Sequence, residues 1–283
     1  MPLDARDQLG QFGIWRSGNL VTPELAAGLD RLGFGALWLG GSPAGDLAQA
    51  EELLAATARI VVGTSIVNIW ADAPAEVAAS FARVHSRYPG RFLLGVGAGH
   101  PEATSRYSRP FEAITAYVDV LLRAGVPAAS LVLAALGPKM LQLAAQRTAG
   151  AIPYLVTPEY TRQARAIMGA GPLLAPEQKV VLDDDQERGR ALGRQRVSRP
   201  YLGLVNYTSS LRRLGWTEAD LSDGGSDALI DALVAHGPAG QVAARLSQHL
   251  DAGAGHVAIQ LLTEAGADPL EYYGQLARAL GLS

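Results

Sequence analysis

Short apolar runs alternate with longer segments of helical periodicity along the whole chain. The runs are rich in β-branched residues, which is typical of strands buried on both faces, and the segments between them have the apolar spacing of amphipathic helices. The pattern predicts strands at residues 12–15, 36–41, 60–69, 92–99, 131–136, 152–156, 179–183 and 256–262. Strict alternation requires parallel strands, and eight such units with right-handed crossovers close a (β/α)8 TIM barrel.

Length and linkers favour a single domain over residues 1–283. A chain of 283 residues is natural for one (β/α)8 barrel, and no proline-rich or low-complexity linker divides it. Residues 184–255, between the seventh and eighth predicted strands, are more than one crossover needs. We expect them to form a mostly helical insertion in the barrel.

Composition and charge exclude several classes of protein. Charged residues make up 18% of the chain and the net charge is −3, which argues against binding to nucleic acid or to an anionic membrane. The chain has no cysteine, so disulfides and cysteine metal sites are excluded. No apolar run reaches the roughly 18 residues of a membrane span, and the first residues lack the features of a signal peptide. We therefore expect a soluble, cytoplasmic protein.

Three alternating glycines, Gly95, Gly97 and Gly99, end the fourth predicted strand. A dinucleotide-binding fingerprint requires a third glycine position three residues after the second, at the start of a helix, whereas His100 and Pro101 follow here. The glycines either let the barrel interior close or let a planar ring approach the strand end. In a TIM barrel these two interpretations are compatible, because the end of the strand lies at the face that carries the active site.

Four segments, taken in order, resemble the bacterial luciferase-like monooxygenase superfamily, and within it the deazaflavin (coenzyme F420)-dependent oxidoreductases. They are LGFGALWLGG, IVVGTSIVNIWADAP, RYPGRFLLGVGAGHPEA and AALGPKMLQLAA. The resemblance covers nearly the whole chain and implies a (β/α)8 barrel, in agreement with the strand count. It also implies hydride transfer between F420 and a small organic substrate. The alternatives are an FMN-dependent monooxygenase and a barrel that binds a cofactor without turnover.

The resemblance further implies where the cofactor is held. It predicts a non-proline cis peptide at Ser65–Ile66 behind the ring, and a phosphate bound by the amide groups of the helix start near Gly137. The cofactor-binding residues implied in this way are Ser65, Ile66, Val67, Asn68, Gly97, Ala98, Gly99, His100, Ala135, Leu136, Gly137, Pro138, Lys139 and Thr157. Without the resemblance, these positions are also compatible with ordinary strand ends, an ordinary helix start and, at Lys139, a solvated side chain.

The chain departs from the family pattern at the end of the second strand. Many deazaflavin dehydrogenases carry an Asp-His pair there, and Gly41 and Ser42 take its place, which argues against a sugar-phosphate substrate. The mid-strand residue Trp38 is predicted to lie in the core. The residues predicted to wall the substrate are Trp15, Trp70 and Tyr154.

His100 stands where the family often has a glutamate, and it is the candidate catalytic residue. An unperturbed histidine has a pKa near physiological pH and suits proton transfer. The alternative is that His100 only orders its loop and hydrogen-bonds the cofactor.

Two charged stretches of the sequence are also open to a functional interpretation. The run Asp183–Asp185 lacks a partner cluster of histidine or glutamate, so we expect a helix cap and no metal site. Five arginines of the insertion form either a solvated helix face or a site for the anionic polyglutamate tail of the cofactor; they are Arg188, Arg190, Arg194, Arg196 and Arg199. The resemblance implies a homodimer through early helices. The faces that carry Leu53, Val77 and Phe81 are either its contact surface or the apolar inner helix faces that any barrel requires.

Overall fold

Strand and helix alternate throughout the computed structural model, which describes residues 8–103, 109–264 and 266–282. Strands β1 to β11 are Phe12–Ser17, Ala36–Gly40, Val61–Ser65, Val67–Asn68, Phe92–Gly97, Leu131–Leu133, Gly150–Ala151, Leu173–Leu174, Glu177–Leu182, Val234–Gly237 and Val257–Leu261. Helices α1 to α12 are Pro23–Arg31, Ala48–Ala55, Pro74–Arg87, Pro110–Arg123, Pro138–Arg147, Pro158–Met168, Gln186–Ser198, Val205–Arg213, Glu218–Leu221, Asp227–Leu233, Ala239–Asp251 and Pro269–Ala279.

The sheet closes on itself through the segment that contains β8 and β9. The parallel strands follow the order β10-β9-β11-β1-β2-β3-β5-β6-β7-β8, with β4 beside β5. On one side of the closing segment, Leu173 N donates to Ala149 O at 2.8 Å, and on the other, Ala258 N donates to Pro176 O at 2.9 Å. The segment thus joins β7 to β11, which confirms the predicted (β/α)8 barrel.

One predicted strand is misplaced, and the mostly helical insertion contains a strand that was not predicted. The sixth strand lies at Gly150–Ala151 rather than at residues 152–156, because Pro153 has no N–H to continue the ladder. The region 184–255, expected to be mostly helical, also contains β10, which pairs with β9 and sets Val234 opposite Lys179. Because β7 ends early, the upper part of β9 has a free edge, and β10 occupies it.

The barrel interior is filled by an indole. Trp38 is 1% exposed, and its Nε1 donates to Nε2 of His256 at 3.0 Å. A Cβ on Gly63 would lie 2.4 Å from the Trp38 ring, so only glycine on the neighbouring strand leaves room for it. The prediction that Trp38 is a core residue is confirmed.

The helix faces considered for dimer contacts belong to the core of the barrel. Leu53, Val77 and Phe81 are 0%, 0% and 2% exposed, because the outer helices pack their apolar stripes onto the sheet. The interpretation of these faces as dimer contacts is therefore wrong, and the homodimer itself stays a prediction.

The insertion is anchored to the mouth of the barrel by its own apolar cluster. Val197 and Leu229 are fully buried in this cluster together with Val181 of β9 and Leu262, which follows β11. The helices of the insertion therefore form one side of the mouth. Among the described residues, no helix has the length and hydropathy to cross a membrane.

Candidate functional site

A cavity of about 740 Å³ opens at the carboxyl ends of the strands, the face on which TIM barrels carry their active sites. Its volume is in the range of small-molecule and cofactor sites. No aspartate or glutamate is found among the described residues that line it, whereas four basic residues do so: Arg16, Lys179, Arg196 and Arg199. The lining therefore favours anionic groups.

The bulge after β3 forms one wall of the cavity, which we call the bulge wall. The Ser65–Ile66 peptide bond is cis, which confirms the prediction, and both residues line the cavity. Trp15, also in the lining, donates from Nε1 to Ser65 Oγ at 2.9 Å. Its ring crosses the second strand where a Cβ on Gly40 would come within 2.0 Å. Glycine at the end of β2 thus lets Trp15 reach the bulge.

The residues next to the bulge divide into lining and backing positions. Asn68, Ala98 and Gly99 line the cavity. Val67 is fully buried, and a Cβ on Gly97 would lie 3.0 Å from the Ile66 side chain. Contrary to the prediction, these two residues lie outside the lining, because alternate positions of a strand face opposite sides, and they support the bulge from behind.

The loop after β6 leads into helix α5, whose first turn opens on the cavity. No side chain caps this helix at Gly137, and no acidic residue occupies its first turn, so its first amide hydrogens are available to an anion. Nothing lies within 4 Å of a Cβ position on Gly137. The predicted residues Pro138 and Lys139 are exposed and lie outside the lining; those of this loop that line the cavity are Ala135, Leu136 and Gly137.

Two further predicted residues support the cavity from outside its lining. The Thr157 hydroxyl accepts a hydrogen bond from Tyr160 N at 3.2 Å and caps α6. Tyr160, which the sequence did not single out, donates to two carbonyl groups of the loop before α5. Trp70, predicted to wall the substrate, donates from Nε1 to Ala98 O at 2.8 Å. Thr157 and Trp70 therefore position backbone that reaches the cavity.

His100 lines the cavity and also contacts the insertion. Its Nδ1 lies 3.3 Å from Oδ1 of Asn206 on α8; because an amide oxygen only accepts, Nδ1 carries the hydrogen and Nε2 keeps its lone pair. Burial lowers the pKa of His100, and the bond to Asn206 partly offsets the shift. The imidazole is therefore neutral at pH 7, with Nε2 able to act as a base.

Across the barrel from the bulge, polar side chains form a second wall, which we call the tyrosine–lysine wall. It consists of Tyr154, Lys179, Tyr201, Tyr207 and Gln260, all in the lining, with Glu177 behind them. Of these, sequence reasoning identified only Tyr154. The other members come from β9, from β11 and from the insertion, and no sequence motif joins them.

A buried ion pair supports this wall. Glu177 and Lys179, two residues apart on β9, point to the same side of the strand, and Lys179 Nζ lies 3.1 and 3.2 Å from the two carboxylate oxygens. Leu155 N donates to Glu177 Oε2 at 3.0 Å. Burial lowers the pKa of Lys179 and raises that of Glu177, and the opposite charge of each partner offsets these shifts only in part. The strand was predicted to begin at Lys179, so the sequence analysis missed this pair.

The tyrosines of the wall are joined to the lysine and to each other. Lys179 Nζ lies 3.9 Å from the ring centre of Tyr154 and 4.8 Å from that of Tyr201. The two tyrosine hydroxyls are 2.6 Å apart, and that of Tyr154 donates to Gln260 Oε1 at 2.8 Å. The wall is therefore a continuous polar network.

Some charged residues of the insertion have local structural roles, and others line the cavity. Asp185 accepts hydrogen bonds from the backbone N–H groups of residues 187 and 188, which confirms the predicted helix cap. Three of the five arginines are held by ion pairs with aspartates; they are Arg188, Arg190 and Arg194. The other two, Arg196 and Arg199, line the cavity. In the part of the chain that the structure describes, no three metal-ligating side chains come together.

Part of the chain is similar to proteins of a known family. Residues 21–124 match the model of the luciferase-like monooxygenase family. The chain is also 36% identical, over 88 residues, to an F420-dependent glucose-6-phosphate dehydrogenase of Microbacterium testaceum. The match covers 27% of this chain and 26% of that relative's length.

Solved structures of other proteins share the barrel fold over almost the whole chain. An F420-dependent secondary alcohol dehydrogenase, in complex with an F420–acetone adduct, has a TM-score of 0.74 at 15% identity and covers 96% of this chain and 99% of its own. The F420-dependent tetrahydromethanopterin reductase of Methanopyrus kandleri has a TM-score of 0.69 at 15% identity, covering 96% and 98%. A type II Baeyer–Villiger monooxygenase of Pseudomonas putida, in complex with FMN, has a TM-score of 0.68 at 14% identity, covering 95% and 96%. The fold is thus shared by proteins that use different cofactors.

Proposed function

We propose that this luciferase-like chain is an oxidoreductase that uses coenzyme F420 and transfers a hydride between the deazaflavin and a small organic substrate. The observation that carries the proposal is that one cavity combines the cis Ser65–Ile66 bulge with the uncapped start of α5. When bound, the deazaflavin supplies the carbon that exchanges the hydride. The protein supplies binding, orientation and electrostatics.

The residues present fit such a cofactor. Ile66, Ala98 and Gly99 give the bulge wall small or flat apolar groups, which suit a planar ring. The free amide hydrogens after Gly137 suit a phosphate. F420 carries further carboxylates on its tail, and the guanidinium groups of Arg196 and Arg199 at the cavity suit them. FMN has no such tail, so the two arginines favour F420 as the cofactor.

The side chains opposite the bulge wall leave room for a substrate. In this proposal the substrate lies between the cofactor and the tyrosine–lysine wall, with Trp15 at its side. His100 Nε2 takes up the proton that leaves the substrate when hydride is removed, because its Nδ1 hydrogen is already committed to Asn206. The helices of the insertion help to exclude water from this space.

Titration of the purified chain with F420 and with FMN tests the cofactor. We expect saturable quenching of F420 fluorescence at micromolar concentrations and no saturable binding of FMN. Binding of FMN without binding of F420 would overturn the proposal in favour of a monooxygenase.

An activity assay distinguishes an enzyme from a protein that binds the cofactor without turnover. Gly41 and Ser42 line the cavity where related dehydrogenases carry an Asp-His pair, which favours a barrel without turnover as the second candidate. The F420-loaded chain is offered a panel of alcohols, and the absorbance of the oxidised deazaflavin is followed; the reduced form is offered carbonyl compounds. We expect reaction with members of one panel, whereas tight F420 binding with no reaction in either would support the second candidate.

A further inference from the structure

The tyrosine–lysine wall presents to the cavity a hydroxyl oxygen whose own hydrogen is already used. Tyr154 is the donor to Gln260 Oε1, because an amide oxygen only accepts. A phenol has one hydrogen, so in the 2.6 Å contact between the two hydroxyls Tyr201 is the donor and Tyr154 the acceptor. Within residues 8–103, 109–264 and 266–282, no group donates to the Tyr201 oxygen. This oxygen can therefore accept a hydrogen bond from a ligand but has no hydrogen to offer.

Burial keeps both tyrosine hydroxyls protonated, so each of them remains a hydrogen-bond donor. It raises the pKa of Tyr201 and raises that of Tyr154 well above its ordinary value, so both phenols keep their hydrogens at neutral pH. The Lys179 ammonium lies against both rings and fixes their positions. The direction of the hydrogen bonds is therefore set by Gln260 at the far end.

The charge of the cavity decides which kind of donor suits Tyr201. The lining has three arginines and no carboxylate among its described residues, as reported above, so it repels an ammonium group. The donor should therefore be neutral, and among neutral donors a hydroxyl is the one whose single oxygen can also accept a hydrogen bond. The ring of Tyr207 packs edge-on against that of Tyr201 at 5.3 Å, and its hydroxyl makes no hydrogen bond within the described residues. Before reaction, a substrate hydroxyl can donate to Tyr201 and accept from Tyr207, whereas a carbonyl oxygen can only accept. When hydride leaves, the hydroxyl hydrogen turns from Tyr201 to His100 Nε2, whose ring lies 5.3 Å from that of Tyr207.

We propose that Tyr201, with Tyr207 beside it, is the binding site for a neutral hydroxyl group of the substrate, so that the cavity prefers an alcohol to the corresponding carbonyl compound. The inference deepens the proposed function by naming the substrate group. It rests on that function only in taking the small ligand of the cavity to be the substrate. Tyr201 acts here as a specificity-determining residue, and Gln260 acts through it.

The test measures binding without turnover, using cyclohexanol and cyclohexanone as probes. Dissociation constants are determined by saturation-transfer NMR on the F420-free chain and on the F420-loaded chain. We expect cyclohexanol to bind about tenfold more tightly, because the ketone leaves the Tyr201 oxygen without a donor. Equal binding, or tighter binding of the ketone, would overturn the inference.

Three substitutions and one control variant locate the source of the preference. Tyr201→Phe removes the oxygen and is expected to bring the ratio of dissociation constants close to one, while Tyr272→Phe on α12 serves as the matched control and leaves the ratio unchanged. Gln260→Glu keeps an acceptor for Tyr154 and keeps the preference. Gln260→Met frees the Tyr154 hydrogen to turn toward Tyr201, whose own hydrogen then faces the cavity, and is expected to invert the preference.

The outcomes separate this inference from the proposed function. An unchanged ratio in Tyr201→Phe or in Gln260→Met contradicts the hydroxyl site even if F420 binds. Should Tyr201→Phe fail to fold, the two Gln260 variants decide. Failure of F420 to bind the wild-type chain contradicts the proposed function, and the alcohol preference of the F420-free chain still decides the hydroxyl site.

Discussion

The two walls of the cavity are made of different material. The bulge wall consists of backbone and short side chains at strand ends, such as Ser65, Ala98 and Gly99. The tyrosine–lysine wall consists of long polar side chains whose hydrogen bonds span 47 and 106 residues of sequence. A wall of backbone and small groups suits a planar ring that is the same in many enzymes. A wall of long polar groups can change one residue at a time, so we expect substrate choice to reside there.

We expect the largest effect from removing the carboxylate behind the tyrosine–lysine wall, because this change affects one wall and not the other. Glu177→Ala leaves Lys179, which is 1% exposed, without its ion-pair partner. Leaving one charge of a buried pair unpaired costs about 3–5 kcal/mol, so we expect the free energy of unfolding in urea at pH 7 to fall by about that amount. The bulge wall is untouched, so the variant that remains folded should still bind F420.

The same variant has a pH signature that a simple packing defect lacks. Without Glu177, the pKa of Lys179 is lowered in the folded state relative to the unfolded state, so the unfolded state binds more protons. The deficit should therefore shrink as the pH rises from 7 toward about 10, the pKa of an unfolded lysine. Glu177→Leu combined with Lys179→Met removes both charges and should recover most of the stability. A deficit that is independent of pH would contradict this account.

Gly137→Asp should have the next largest effect, and it acts on the other wall. Relative to glycine, a carboxylate at the N-cap of α5 stabilises the helix by only a few tenths of a kcal/mol, but it takes up the amide hydrogens and repels a phosphate. We expect the melting temperature to stay constant or rise while the affinity for F420, measured by fluorescence titration, falls more than about tenfold. The control Gly137→Asn caps without charge and should lose less affinity. An aspartate variant that binds F420 like wild type would remove the helix start from the proposed site.

The two cavity arginines should have a smaller effect. Arg196→Ala and Arg199→Ala each remove one exposed charge, and such charges contribute up to about 1 kcal/mol each and are screened by salt. We expect the affinity for F420 to fall severalfold at low salt, with no change in the affinity for the deazaflavin riboside that lacks phosphate and tail. Arg188→Ala, whose residue pairs with Asp183 away from the cavity, is the matched control. Equal losses for both ligands would assign the arginines to ring binding or folding instead.

The difference between the walls also explains what the sequence could predict. The barrel follows from the alternation of strand and helix, and the cis bond at Ser65–Ile66 was implied by the resemblance of this short segment to a known family, so both are found where they were predicted. The contact of His100 with Asn206 and the pair of Glu177 with Lys179 depend instead on how the insertion packs and where β9 begins. A glutamate and a lysine two residues apart in an apolar strand are a usable signal, because an unpaired charge is rarely buried.

The smallest predicted effect concerns His100, which links the two walls. Burial places its pKa below the ordinary 6.5, and the bond from Asn206 raises it in part. Asn206→Leu should therefore lower the pKa of His100 further and Asn206→Asp should raise it, shifts that an NMR titration of the imidazole can follow, with His100→Gln identifying the signal. If Nε2 takes up the substrate proton, the rate falls as the pH drops through this pKa, and the acid limb of the rate profile moves down in Asn206→Leu and up in Asn206→Asp. A limb that stays fixed while the NMR pKa moves would mean that His100 only positions the insertion, and the proton would have to leave by another group.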